Sequence, residues 1–343
     1  MSDETLVIWL PSPLGDAVMA TPSLRAIRRH FADRRILFWG SALVRQILSP
    51  TDFCNEWIEM QRGFWNALRQ MKETKCRLCV LLRNSFGSAL TVWLAKVPQR
   101  IGYARDGRTW MLTQSIRPPV DADGGWMPVP AIDYYLNLAH FLGARADERT
   151  MELAVDPAAE KTLLEKLPAA VEHSGPLVIL VPGGAFGPSK LWPSERFAQI
   201  ADQLIERYQA TVVLSVAPNR QEIQIADRIC QHARKTLIHL GQVQLDLGEL
   251  KALLGRADLV ITNDTGPRHI AIALKRKVIT LFGPNNPQWT QTGCKDEIQI
   301  IGAGPCVPCD RPTCRQPRHY CMESITADQV FEAAQKQLAG TWG

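Results

Sequence analysis

The chain has 343 residues, 46% of them hydrophobic and 21% charged, which is length for about two domains with a buried core in each and a composition that excludes disordered, collagen-like and coiled-coil chains. Its longest apolar runs, such as 78–82 and 177–181, fall far short of the roughly 18 residues a membrane-spanning helix needs, and the first residues lack the basic flank and long apolar region of a signal peptide, so the expected location is the cytoplasm. The formal charge of +5 arises before residue 151, where 19 Lys/Arg stand against 14 Asp/Glu, with 20 of each in the remainder. That half suits an anionic ligand or an acidic membrane surface, and a solvated face with an uneven count gives the same arithmetic. The sequence carries no stripe of basic residues interleaved with aromatics of the kind that binds nucleic acid.

In chain order, Thr5–Leu10 reads as a buried strand, followed by the turn 11–16 and an amphipathic helical pattern over Ala17–Phe31, the opening of a βαβ unit. Ile36–Trp39 and Leu78–Leu82 read as further strands, with Trp- and Arg-rich helical patterns between them. A charged helical stretch and the Pro/Gly-rich segment to Pro176 mark the inter-domain connection. A second series follows, with strands at Leu177–Val181, Thr211–Val216, Leu237–Leu240, Leu259–Thr262 and Val278–Phe282 and helices at Pro193–Tyr208, Asn219–Arg234, Leu247–Leu254 and Gly266–Leu274. This alternation predicts an α/β chain of two Rossmann-like, doubly wound parallel-sheet domains facing a cleft, 1–165 and 166–343, with ligands beyond the carboxyl ends of the strands.

Nine cysteines in a chain without a secretion signal argue against a disulfide framework. Cys76 and Cys79 fall on the strand reading 76–82, where an odd separation sends them to opposite faces of a core. Cys306, Cys309, Cys314 and Cys321, with His319 near the last, form C-x2-C-x4-C-x6-C in a Pro-rich segment. This spacing suits either a structural zinc or a compact loop with reduced thiols.

Three loops at predicted strand ends carry polar groups. In 12–16, Asp16 stands where a helix N-cap would, and it is equally a candidate general base. In 182–193, Gly183 and Gly184 permit close backbone approach, and Ser189 and Lys190 precede a helix; the set suits a diphosphate, although it matches neither the Walker nor the dinucleotide fingerprint, and a flexible connection with a solvated lysine has the same residues. In 262–269, Asp264 and Thr265 can cap a helix or, with Gly266 and His269, present amides and an imidazole to the same phosphates. Glu222 is either a first-turn carboxylate or a ribose acceptor.

These loops, in this order, resemble the bacterial ADP-heptose:lipopolysaccharide heptosyltransferases of glycosyltransferase family 9. The resemblance rests on Pro13-Leu14-Gly15-Asp16 with Pro22-Ser23-Leu24-Arg25-Ala26, on 186–193, and on Thr262-Asn263-Asp264-Thr265-Gly266 with His269. Asn84-Ser85-Phe86 with Ser88-Ala89-Leu90, and Arg100-Ile101-Gly102-Tyr103, look like the heptosyltransferase II branch. The resemblance implies a GT-B architecture with the acceptor on the first domain, touching Asn84 and Ser85, and the ADP-sugar on the second. It implies inverting, metal-independent transfer of heptose from ADP-heptose to an anionic, heptosyl-Kdo2-lipid A type acceptor, with no cofactor and with peripheral contact at the inner membrane. Asp16 becomes the base, Lys190 the phosphate partner, Glu222 the ribose acid, and Asp264, Thr265, Gly266 and His269 the donor turn. A nucleotide-sugar epimerase of the same fold, a transferase with another donor and acceptor, and a metal-bearing scaffold around the cysteines are the competing readings.

Overall fold

Strands covered on both faces must be apolar at every position, and in the computed structural model, which describes residues 5–170 and 172–342, the most continuous apolar runs lie at the centres of two sheets. The first sheet contains β1 (Leu6–Trp9), β2 (Ile36–Gly40), β3 (Glu56–Glu59), β4 (Leu78–Leu81), β5 (Gln99–Tyr103) and β6 (Gln114–Ile116) in the order β3-β2-β1-β4-β5-β6. All its pairings are parallel. Its helices are α1 (Leu14–Met19), α2 (Thr21–His30), α3 (Ala42–Leu48), α4 (Phe64–Thr74), α5 (Phe86–Leu94) and α6 (Ala131–Phe141).

The second unit repeats this plan. Helix α7 (Pro157–Lys166) precedes β7 (Leu177–Val181), β8 (Thr211–Leu214), β9 (Ile238–His239), β10 (Leu259–Asn263), β11 (Lys277–Phe282) and β12 (Glu297–Ile301), whose parallel order is β12-β11-β10-β7-β8-β9. The accompanying helices are α8 (Ser194–Tyr208), α9 (Arg220–His232), α10 (Leu247–Arg256), α11 (Gly266–Ala273), α12 (Tyr320–Ser324) and α13 (Ala327–Trp342). In each sheet the order reverses between the first and fourth strands, and open α/β sheets bind their ligands beside that reversal.

Four differences from the sequence reading have physical causes. The helix expected over 17–31 is two helices joined at Ala20. Pro22 has no N–H for the Val18 carbonyl, which accepts the Thr21 hydroxyl at 2.8 Å instead. Strands β3, β5, β6 and β12 escaped notice because they lie toward the sheet margins and carry polar or charged residues. Cys76 lies before β4 rather than in it, so both thiols of the C-x-x-C pair enter one apolar cluster with Trp9, Trp39 and Met71. The first unit runs to Ala154 and includes Gln288–Thr292, so the division falls at Val155 and not near 165. Helix α7 packs on α10 and so belongs with the second sheet.

Candidate functional site

In the first unit the order reverses between β1 and β4. The loop leaving β1 enters α1 at Pro13, its N-cap, which makes no side-chain capping bond; Asp16 lies in the first turn and is not the cap. Its carboxylate accepts a hydrogen bond from Tyr135 Oη at 3.1 Å, a residue of α6 distant in sequence and almost fully buried. The Tyr135 hydroxyl is held protonated well beyond the usual phenol range, by burial first and then by the Asp16 charge. Asp16 is thus half-buried, oriented by a neutral donor, and not consumed in capping.

The loop leaving β4 carries Asn84 and Ser85. Ser85 is the N-cap of α5, its Oγ accepting from Ser88 N at 3.1 Å. Asn84 Nδ2 donates to Tyr134 Oη at 2.9 Å, and Asn84 Oδ1 accepts from Arg108 Nη2 at 2.7 Å. Both side chains therefore build the loop, which their assignment to the acceptor did not anticipate. Arg108 is wholly buried, donating also to the carbonyls of Tyr103 at 3.0 Å and Arg83 at 2.8 Å. These partners are neutral oxygens, which satisfy the donors of the guanidinium without a second buried charge.

In the second unit the reversal lies between β7 and β10, and the loops leaving these strands are 182–190 and 264–266. The glycines of the first leave room for two neighbouring side chains. A Cβ on Gly183 would lie 2.3 Å from Glu222 Oε2, and one on Gly184 would lie 2.7 Å from Thr265 Cγ2. Glu222 occupies the first turn of α9 behind the Asn219 cap, and its carboxylate accepts from Ala217 N at 2.8 Å. The fold thus brings Glu222, Thr265 and the glycine loop together.

Lys190 ends a 3-10 turn over Pro188–Lys190, and its buried Nζ donates to the Asp264 carbonyl at 2.6 Å and to Asp264 Oδ2 at 3.3 Å. Phe186 lies under the same ammonium, 4.7 Å from ring centre to Nζ. Burial holds the Lys190 pKa below the ordinary lysine value against the pull of Asp264. Beyond Asp264 the charges continue inward: Arg268 Nη1 meets Asp264 Oδ1 at 2.8 Å, Arg268 Nε meets Glu297 Oε1 at 2.6 Å, and Thr280 Oγ1 donates to Glu297 at 2.6 Å. Neighbouring cations outweigh burial at both carboxylates and hold them below their usual range. Asn263 Nδ2 ties the turn to the Pro182 carbonyl at 2.9 Å. Thr265 is the N-cap of α11 but makes no side-chain capping bond, so the first-turn amides of that helix are not met by it.

His269 does not face outward as expected. It is 3% exposed, and burial followed by the Arg268 charge brings its pKa down to about 3, so it is neutral near pH 7. Its Nδ1 is buried with no hydrogen-bond partner. Ser189 is also committed inside the fold, its Oγ donating to the Arg311 carbonyl at 2.6 Å while its amide donates to Pro312 O at 3.1 Å. These bonds fasten the cysteine-rich segment against the glycine loop. Cys306, Cys309 and Cys314 line one cavity there and Cys321 is buried behind it, yet among the described residues no three His, Cys, Asp or Glu side chains are gathered as a metal ion requires. As folded, the thiols do not make the zinc ligand set that their spacing allowed.

Sequence reasoning gave no role to Tyr135, Arg108, Arg268 and Glu297, nor to Asn263 beyond its place in the turn motif. For Arg268 a signal existed, since it stands four residues after Asp264 and meets it across the turn that opens α11.

A family model described as Glycosyltransferase family 9 (heptosyltransferase) matches residues 64–319. Lipooligosaccharide heptosyltransferase 2 of Campylobacter jejuni is 25% identical, over 96% of this chain and 98% of its own length. Lipopolysaccharide heptosyltransferase 2 of Salmonella typhimurium is 27% identical, over 82% of this chain and 83% of its own. Among solved structures, the Escherichia coli ADP-heptose LPS heptosyltransferase II superposes with a TM-score of 0.78 at 24% identity, covering 98% of this chain and 99% of the other, which shows the shared GT-B fold.

Proposed function

Because the chain belongs to glycosyltransferase family 9, the heptosyltransferases, we propose that it transfers heptose from ADP-heptose to the inner core of lipopolysaccharide, on an acceptor of the heptosyl-Kdo2-lipid A type. The relatives named heptosyltransferase 2 favour this acceptor, since they align along most of the chain. The observation that carries the donor assignment is Lys190, a buried ammonium fixed 2.6 Å from the Asp264 carbonyl at the turn into α11. It lies next to a helix N-terminus whose cap residue makes no side-chain capping bond, and both stand at the reversal of strand order. An ammonium and helix amides together suit a diphosphate. An ammonium has three donors, and Asp264 occupies two, leaving one for a phosphate oxygen.

In the proposed reaction the acceptor hydroxyl attacks the anomeric carbon of the heptose in a single displacement with inversion. Asp16 takes the hydroxyl proton as the new C–O bond forms, and the bond to the diphosphate breaks, its electrons leaving with ADP. Charge growing on the leaving diphosphate is met by Lys190 and the first-turn amides of α11, fixed in position before the reaction by the buried ion pairs behind them. Glu222, set against Gly183, is assigned to the ribose hydroxyls.

The test is mass-spectrometric detection of transfer from ADP-heptose to heptosyl-Kdo2-lipid A with EDTA present. A gain of one heptose, undiminished by EDTA, is expected. No gain while ADP-heptose still binds would overturn the acceptor, and a gain abolished by EDTA would overturn the metal-independent mechanism. Lys190→Ala is expected to weaken ADP at least about ten-fold, the scale of a charge-assisted hydrogen bond; unchanged ADP affinity would remove Lys190 from the phosphate site.

A further inference from the structure

Helix α5, Phe-Gly-Ser-Ala-Leu-Thr-Val-Trp-Leu, contains no charged residue. Its inward face, with Ala89 and Val92, packs in the same cluster as Ala67 and Met71 of α4, so both helices cover one face of the first sheet and their outer faces look away from it. A surface helix ordinarily turns polar residues outward. The outer side of α5 instead carries Phe86, Trp93 and Leu94, with Phe86 46% and Trp93 39% exposed. Trp110, 60% exposed, packs edge-on against Trp93 with ring centres 5.3 Å apart. On α4 the outer row is Trp65, 75% exposed, followed at helical spacing by Arg69 and Lys72, both exposed.

The surrounding charge is one-sided. Residues 60–118 hold 11 Lys/Arg, of which Arg108 is buried, and only two acids, Glu73 and Asp106. The sequence showed no basic stripe interleaved with aromatics; folding assembles one from separate segments. We propose that this face, the outer rows of α5 and α4 with Trp110, seats the protein on an anionic lipid bilayer. Trp and Phe at the headgroup level with Lys and Arg beside them is the chemistry of an interfacial surface, in which apolar groups enter the lipid boundary and cations meet phosphates. The half-buried Leu94 beside the aromatics continues the apolar rim and fits an acyl chain. A second copy docked by the same face would set cations against cations. No helix among the described residues is long and apolar enough to cross a membrane, so attachment by this chain's helices has to be of the surface kind. The use of such a surface, though not the evidence for it, rests on the lipid-borne acceptor proposed above.

The test is co-sedimentation of the full chain, without donor or acceptor, with phosphatidylethanolamine vesicles made with or without phosphatidylglycerol. Binding is expected only where phosphatidylglycerol is present, and salt should weaken it. Trp93→Ser with Trp110→Ser should lower partitioning at least about ten-fold, and Arg69→Gln with Lys72→Gln should remove most of the lipid-charge dependence, with ADP affinity and thermal midpoint unchanged in both. Absence of binding by the wild type, or equal binding by the tryptophan variant, overturns the proposal. So does self-association in sedimentation velocity that the same variant dissolves, which would make the occupant a second copy. Vesicle binding without heptose transfer would leave this surface standing and remove the assigned reaction, whereas full transfer to a delipidated acceptor without vesicle binding would remove the surface alone.

Discussion

The two units share one strand order and place their working loops at the same reversal, but they fill that place with opposite electrostatics. In the first unit a buried arginine, Arg108, is satisfied by neutral oxygens, and the one acid at the loop, Asp16, is held by a neutral tyrosine. In the second, Lys190, Asp264, Arg268 and Glu297 form an alternating series of buried charges. The backbone plan supplies a position, and side chains decide whether it holds a proton acceptor or an anion. A half-buried carboxylate oriented by a neutral donor keeps capacity to take a proton. Paired carboxylates lose that capacity and instead fix the cations beside them.

The comparison can be broken at each member. Asp16→Asn should reduce turnover by about 10²–10⁴, the usual contribution of a general base, with ADP affinity unchanged; steady-state kinetics beside ADP titration calorimetry measures both, and near wild-type turnover would end the base assignment. Arg268→Ala should cost about 3–5 kcal/mol of stability, since it removes the cation between two buried carboxylates, and Arg108→Ala only about 1–3 kcal/mol, since it strands neutral acceptors. Chemical denaturation of both variants tests the contrast, and equal losses would mean that the charge series does not distinguish the units.

Acid should discriminate in the same way. His269 has a folded pKa of about 3 against 6.5 when unfolded, so between those values the unfolded chain binds the extra proton and stability falls as pH drops. Asp264 and Glu297, held below the usual carboxylate range, act in the same direction, their stabilisation being present above the ordinary carboxylate pKa and lost as pH falls through their folded values. Calorimetric unfolding from pH 7 to pH 4 should show a declining midpoint, and His269→Asn should flatten the part of the decline nearest pH 6. The smallest effect belongs to Tyr135→Phe, which removes one hydrogen bond from Asp16 and should lower kcat about five- to ten-fold while leaving ADP affinity alone. Equal loss of both would point to a folding defect instead.

Most of the sheet framework was legible because parallel strands buried on both faces leave continuous apolar runs, as at 78–81 and 177–181. The loops were legible because they interrupt those runs with Gly, Pro and Asp at strand ends. What stayed hidden is whatever depends on partners far apart in the chain. An arginine read alone belongs on the surface, nothing near Arg108 announces the neutral oxygens inside, and Asp264 four residues before Arg268 gives no sign of Glu297. Tyr135 meets Asp16 only because α6 packs against α1. His269 was taken to face outward because its loop does, while its own position on α11 turns it into the core. The four-cysteine spacing described the segment's covalent reach and not the path fixed by Ser189 and Pro312.

The short piece Gln288–Thr292, counted with the first unit although β11 and β12 flank it, bears on the order in which a ribosome delivers the parts. Arg149 Nη2 donates to the Gln291 carbonyl at 3.4 Å, one of the bonds that closes this unit. Domains emerging from the ribosome generally fold as units, amino-terminal first. Here the amino-terminal sheet can assemble early, but its last piece arrives only after five of the six strands of the other sheet have been made, so completion of the first half of the protein waits on synthesis of most of the second.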